Sequence, residues 1–153
     1  MNMESQPTSI QSNRPFDIDQ FRQLYQTFDI QTLNDLPKLY DPAIEFKDPV
    51  HQLKGIAPLK SYFANLCDPK TRCQFEFIEE ILSDSQAFFK WKMYYSHPKL
   101  RAGKILTLDG GSFIKFNSHI FYHEDFYDMG AMIYQHVPIL GWAVKKVNSR
   151  LQE

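Results

Sequence analysis

Apolar positions along the chain follow two regimes. Up to about residue 66 they recur at helical spacing: Phe21, Leu24, Tyr25 and Phe28 fall at i, i+3, i+4 and i+7, with Asp17 placed to cap that helix. Tyr25 therefore faces inward. Leu33, Leu36 and Leu39 predict a second, shorter helix, with Thr32 as its cap and Pro42 ending it soon after. Next, AIEFKDP alternates Ile44, Phe46 and Asp48 against Glu45 and Lys47, which predicts a short strand with Phe46 and Asp48 on one face. After the loop VHQLKG, the run Ile56, Leu59, Tyr62, Phe63 and Leu66 returns to helical spacing and tolerates Pro58 in its first turn.

From Thr71 onward, segments rich in aromatic and β-branched residues are separated by turn chemistry: about 71–82, 86–96, 103–117 and 118–127. The breaks at Ser83-Asp84-Ser85, at His97-Pro98 with Arg101-Ala102-Gly103, and at Asn117-Ser118 are short enough for hairpins, so the segments predict an antiparallel meander. Beyond Asp128, which stands at an N-cap position, Ile133, Val137, Leu140, Val144, Val147 and Leu151 form one stripe of an amphipathic helix over about 129–151. Pro138 and Gly141 should bend or interrupt it. Helices followed by a curled antiparallel sheet predict an α+β fold with helices on one face.

The length of 153 residues fits one domain, read here as residues 16–153 after a polar run, 1–15, taken as a mobile tail. That run lacks both the basic and the apolar segment of a signal peptide. A formal net charge of -1 points away from nucleic acid, and no apolar run approaches the roughly 20 residues of a bilayer helix. Cys67 and Cys73 flank a turn without forming a disulfide framework or a metal knuckle, so a reduced, cytoplasmic setting is expected. The 13 Phe, 8 Tyr and 2 Trp are more ring surface than a core this small requires, which implies either a very aromatic core or a ring-lined cavity.

Two carboxylates lie on faces that carry rings. Asp48 ends a strand beside Phe46; among rings a carboxylate loses hydration, which raises its pKa toward that of a general base, although Asp-Pro also simply closes turns. Asp125 alternates with His123 and Tyr127 on one face of the last strand, while Tyr122, Glu124 and Phe126 take the other. His119 and His123 are four apart, but on a strand that spacing separates them too far to share an ion, and no metal is expected. Trp91 and Tyr95 suit a core and a ligand platform equally well. His51 reads as a surface residue near a pocket mouth.

Paired helices, then EFKDPVHQLKGI, a further helix, and a meander ending in HEDFYD together resemble the SnoaL-like branch of the nuclear transport factor 2-like superfamily, over roughly 16–137. The resemblance implies a cone-shaped curved antiparallel sheet wrapped around N-terminal helices, with a deep apolar pocket and frequent homodimers through the sheet. In the superfamily's ketosteroid isomerases, Asp48 matches the proton-shuttling Asp and Tyr25 the tyrosine of the oxyanion hole, while Ser112 stands where their protonated Asp would be. Asp125 matches the catalytic Asp of limonene epoxide hydrolases and SnoaL polyketide cyclases. Trp91 and Met93 occupy the middle-strand Arg and Asp positions of the hydrolases, which removes that hydrolytic mechanism.

The site so assembled has Asp48, Asp125, Tyr25 and His123 as acid–base and donor groups, lined by Phe46, Tyr62, Trp91, Met93, Tyr95, Ser112 and Tyr127. The expected function is binding of a small, largely apolar oxygenated molecule by a homodimer, with isomerisation or cyclisation by acid–base chemistry and no cofactor. The alternative is a non-catalytic binding or accessory dimer of the same fold, which the substitutions at Ser112, Trp91 and Met93 favour. For the last helix, Trp142 with Lys145, Lys146 and Arg150 raises contact with an anionic membrane surface, but packing over the cone mouth or against a partner is the favoured reading.

Overall fold

The Asp17 carboxylate accepts from the Asp19 amide, so helix α1 (Ile18–Gln26) starts where the change from polar to apolar sequence predicts. The structure is a computed structural model describing residues 16–66, 72–99, 101–132 and 146–151. A 3-10 turn (Thr32–Asp35) leads into the short helix α2 (Leu36–Leu39). Its cap differs from expectation: Asp29 accepts the Gln31 and Thr32 amides, and the Thr32 hydroxyl receives the Asp29 amide. Strand β1 (Tyr40–Lys47) begins at Tyr40 rather than at Ala43, because Pro42 takes an exposed position within the strand instead of ending a helix. Tyr40, Ile44, Phe46 and Asp48 thereby share the buried face.

The loop after β1 contains a short edge strand, β2 (Gln52–Lys54), that its pattern did not announce, and α3 (Ile56–Leu66) follows as expected. The meander is β3 (Arg72–Leu82), β4 (Gln86–Ser96), β5 (Leu106–Phe116) and β6 (Ile120–Tyr127), antiparallel at each pairing. Strand β5 starts at Leu106 rather than 103, because Arg101–Gly103 form a 3-10 turn with Ala102 at φ 55°. Among the described residues the sheet has the order β2-β1-β6-β5-β4-β3, and β1 joins β6 in parallel. That one parallel pairing departs from an all-antiparallel sheet: its crossover runs through β2, α3 and the first three strands of the meander. The sheet is curved and unclosed, with α1 packed on β3 and α3 on β1.

The enclosed core is built of rings. Phe21 of α1 stacks against Phe77 of β3 and Tyr25 lies tilted beside it, the Phe89 ring of β4 lies 4.9 Å from that of Phe21, and Phe63 of α3 meets Phe46 of β1 edge-on. Gly110 and Gly111 on β5 make room for two more. A Cβ at Gly110 would lie 2.3 Å from the Trp91 ring on the inner face, and one at Gly111 would lie 2.5 Å from Phe88 on the outer face. Asp128 accepts from the Gly130 amide and so begins α4 (Met129–Met132), as read from sequence. Residues 146–151 are helical, with Val147 and Leu151 exposed. The rest of the expected stripe (Ile133, Val137, Leu140, Val144), together with Pro138, Gly141, Trp142, Lys145, Cys67 and the tail 1–15, lies outside the described residues. Among the described residues no helix is long and apolar enough to cross a membrane.

Because the inserted methyl of Gly110→Ala would meet both the Trp91 ring and the Phe126 carbonyl, this substitution is expected to destabilise the fold by about 1–3 kcal/mol. The check is the urea midpoint, which should fall at an unchanged m-value.

Candidate functional site

His123 is fully buried in a cage of Phe21, Tyr25, Tyr40 and Phe46, with the Tyr40 ring parallel to it and Phe46 edge-on at 5.0 Å. Both ring nitrogens need partners there. Nε2 lies 2.8 Å from Asp125 Oδ1, and Nδ1 lies 2.9 Å from the Tyr40 hydroxyl. A neutral imidazole has one donor and one acceptor, so Nε2–H donates to the carboxylate and Nδ1 accepts from Tyr40. The Tyr25 hydroxyl sits 3.3 Å from Nε2 and also bonds to Tyr40.

The same carboxylate oxygen is held from the opposite side. Ser112, paired with Asp125 in the β5–β6 register, donates to Oδ1 at 2.5 Å, and Trp91 Nε1–H donates to Ser112 Oγ at 2.9 Å. A continuous chain therefore runs from Tyr25 and Tyr40 through His123 to Asp125, and back through Ser112 to Trp91. Asp125 Oδ2 carries no hydrogen bond among the described residues, and the side chain keeps 12% of its surface exposed against none for His123. Asp125 is thus the point at which this buried chain meets the outside.

Asp48 forms a second cluster. Oδ1 accepts the Val50 and His51 amides at 2.7 and 2.5 Å, and Oδ2 accepts the hydroxyls of Tyr62 at 2.5 Å and Tyr127 at 3.3 Å. His51 Nδ1 lies 3.1 Å from both oxygens. Burial of this carboxylate acts to raise its pKa, but the Tyr62 hydroxyl, the two amides and His51 outweigh it, and the pKa is lowered. The expectation that Asp48 is tuned upward to a general base is corrected on this point: the turn after Pro49 folds donors onto it. Burial holds the hydroxyls of Tyr25, Tyr40, Tyr62 and Tyr127 above their ordinary pKa, and the negative charge of Asp125 adds to that in each case. All four remain neutral donors.

The structure thus gathers Tyr25, Trp91, Ser112, His123 and Asp125 in one chain and Asp48, Tyr62 and Tyr127 in a second, with Phe46 in ring contact with both His123 and Tyr62. Met93 lies one inner-face step beyond Trp91, nearly fully buried; Tyr95, a further step along, is half-buried. Tyr25 is 1% exposed, with its hydroxyl on His123 and Tyr40. Sequence reasoning missed Tyr40, whose signal was its even spacing from Ile44, Phe46 and Asp48. It also passed over His51 as a bonded partner of Asp48. His119 sits in the turn before β6 beside Ser118, away from the cage.

A family model described as a SnoaL-like domain matches residues 21–123. No curated protein matches the sequence. Among solved structures, a candidate polyketide cyclase from Xanthomonas campestris pv. campestris is 13% identical, with 76% of this chain and 93% of that chain covered and a TM-score of 0.65. A candidate isomerase from Rhodopseudomonas palustris is 12% identical over 76% and 92% of the two chains, with a TM-score of 0.65. An NTF2-like protein of unknown function from Burkholderia pseudomallei is 16% identical over 78% and 96%, with a TM-score of 0.66. Identities this low establish a shared fold and nothing about chemistry.

The lowered Asp48 pKa has a consequence for stability. Its contribution is fully present above the ordinary carboxylate value of 3.8 and is lost as pH falls through the lower folded value. Denaturant melts between about pH 2 and pH 5 should show Asp48→Asn losing less stability on acidification than the parent protein, with the two curves running parallel at neutral pH.

Proposed function

Because the chain belongs to the SnoaL-like domain family, we propose that it binds a small, largely apolar molecule carrying an oxygen function and isomerises or cyclises it by acid–base chemistry without a cofactor. The observation that carries this reading is the asymmetry of Asp125: one oxygen is fixed by Ser112 and His123, and the other is unbonded among the described residues on a partly exposed side chain. Oδ2 takes a proton from carbon next to a carbonyl, and the electron pair of that C–H bond passes to the carbonyl oxygen. Tyr127 stands two residues along the same face, and its long bond to Asp48 makes its hydroxyl the one most readily turned toward that oxygen. His123 and Tyr40 keep the carboxylate oriented. The names of the two candidate enzymes above agree with such chemistry without assigning it to this chain.

A second reading is an accessory or binding protein of the same fold. What favours it is that Phe46 and Trp91 fill the interior, at 0% and 2% exposure, in the places where a ligand platform is expected. Native mass spectrometry of the protein from its own cells, with thermal-shift screening of cyclic ketones, polyketide fragments, sterols and fatty acids, identifies a ligand. Asp125→Asn should then lower kcat by about 10²-fold or more while ligand still raises the melting temperature. A ligand that binds and is returned unchanged by the parent protein selects the accessory reading.

The partner proposed for the outer sheet face is a second copy of this chain. Ile81, Phe88 and Phe113 lie in one row across β3, β4 and β5, with Phe126 of β6 beside them, and Ile81 is 73% exposed. Analytical ultracentrifugation should find a dimer that Phe88→Glu converts to monomer; a monomeric parent protein at micromolar concentration would remove this partner.

A further inference from the structure

The Asp48 cluster ends in a group that the reaction outlined above does not use. Asp48 has no exposed side-chain surface, whereas the His51 side chain beside it is 45% exposed. The contact between them is made through Nδ1, which sits 3.1 Å from both carboxylate oxygens. An ionised carboxylate accepts only, so Nδ1 carries the proton and Nε2, on the far side of the ring, holds the lone pair. The main chain sets the same geometry: the His51 amide donates to Oδ1 and its carbonyl accepts the Asp48 amide, so the two residues close one turn. Tyr62 of α3 packs against the imidazole, with centroids 4.8 Å apart, and donates to Oδ2, with Tyr127 of β6 as the second hydroxyl there. The ring is therefore held by the Asp48 turn and by α3 in one tautomer.

Asp48 is poorly placed to move protons itself. Its two oxygens offer about four lone-pair directions to two amides, two phenols and an imidazole. A buried, saturated anion orienting an imidazole whose other nitrogen has no hydrogen bond among the described residues is the arrangement by which a carboxylate turns a histidine into a directional base. Tyr127 and Asp125 share one face of β6, so this group stands on the same side of the sheet as the carboxylate assigned above.

We propose that His51 is the second acid–base residue of this site, with Nε2 as its proton-transferring atom and Asp48 as its positioning residue. The inference rests on the acid–base reading of Asp125 and supplies its missing half. When Asp125 takes a proton from one carbon of an unsaturated ketone, Nε2 passes to the far carbon of the resulting dienolate a proton that its lone pair has taken up from water. The C–H bond broken at one end is replaced at the other. Asp125 then returns its proton to water, which replaces the one that Nε2 took up, so both residues end as they began and no electrons are gained or lost.

The test needs no natural substrate. In 5-nitrobenzisoxazole a base removes the ring C–H as the N–O bond breaks, releasing a coloured nitrophenolate and passing the proton on to water. The full chain should accelerate this elimination beyond an equal concentration of free imidazole, along a pH profile with one ionisation that His51→Ala removes. The His51→Ala rate should fall by about 10²-fold or more. Asp48→Asn should lower kcat at unchanged KM, which loss of packing alone would not do. Nitrogen-15 NMR of the parent protein should show His51 as the single Nδ1–H tautomer, becoming mixed in Asp48→Asn. Elimination no faster than free imidazole, an unaffected His51→Ala variant, or an Nε2–H tautomer in the parent protein would each overturn the proposal. Loss of elimination in Asp125→Asn with full activity in His51→Ala would leave the Asp125 reading standing and remove this one.

Discussion

Burying the imidazole of His123 is the constraint that organises the rest of the molecule. An aromatic cage excludes water from both ring nitrogens, and each unsatisfied one would cost about 1–3 kcal/mol. Satisfying them requires Tyr40 from β1 on one side and Asp125 from β6 on the other. Asp125 is itself a charge that needs donors, which brings in Ser112 from β5, and Ser112 in turn accepts from Trp91 on β4. The indole reaches Ser112 because Gly110 leaves it the space. Four strands and α1 are thus locked into one register by a single buried polar chain, since slipping β6 by one residue would turn His123 and Asp125 to the outer face.

The two carboxylates on the inner face illustrate how surroundings divide roles between identical groups. Asp48 is the more deeply buried, yet its pKa is lowered, because the turn beyond Pro49 supplies two amides and the neighbouring elements supply phenols and an imidazole. Among the described residues, Asp125 has donors on one oxygen only. Hydration lost on burial is replaced on both oxygens of Asp48 and, among the described residues, on one oxygen of Asp125. The tyrosines around them are kept neutral by burial and by these same negative charges, which makes them durable donors at any ordinary pH.

Much of this was legible in the chain, because alternation and helical spacing are local properties of backbone geometry. The shared face of His123, Asp125 and Tyr127, that of Phe46 and Asp48, the inward Tyr25, the cap at Asp17 and the limits of β3 and β4 were all read from spacing. The misreadings arose where one residue type serves two structures. Pro42 ends helices and also tolerates an exposed strand position, so β1 was started too late and Tyr40 was left out of it. Asp-Pro was weighed as base and as turn closure, and the closure, which carries the lowered pKa, came from amides two and three residues on.

Tertiary structure alone decided who meets whom. The bonds from Tyr40 to His123 and from Trp91 to Ser112 cross 83 and 21 residues of chain, and the parallel pairing of β1 with β6 joins strands separated by α3 and four other strands. Periodicity tells which face a side chain takes, because that follows from its own backbone. It does not tell which residue stands opposite, because strand register and curvature are set by the packing of the whole core. The sequence therefore determined the elements and the residue types on their inner faces, and the fold determined which carboxylate has donors on both oxygens, which has them on one among the described residues, and which histidine is sealed in or half exposed.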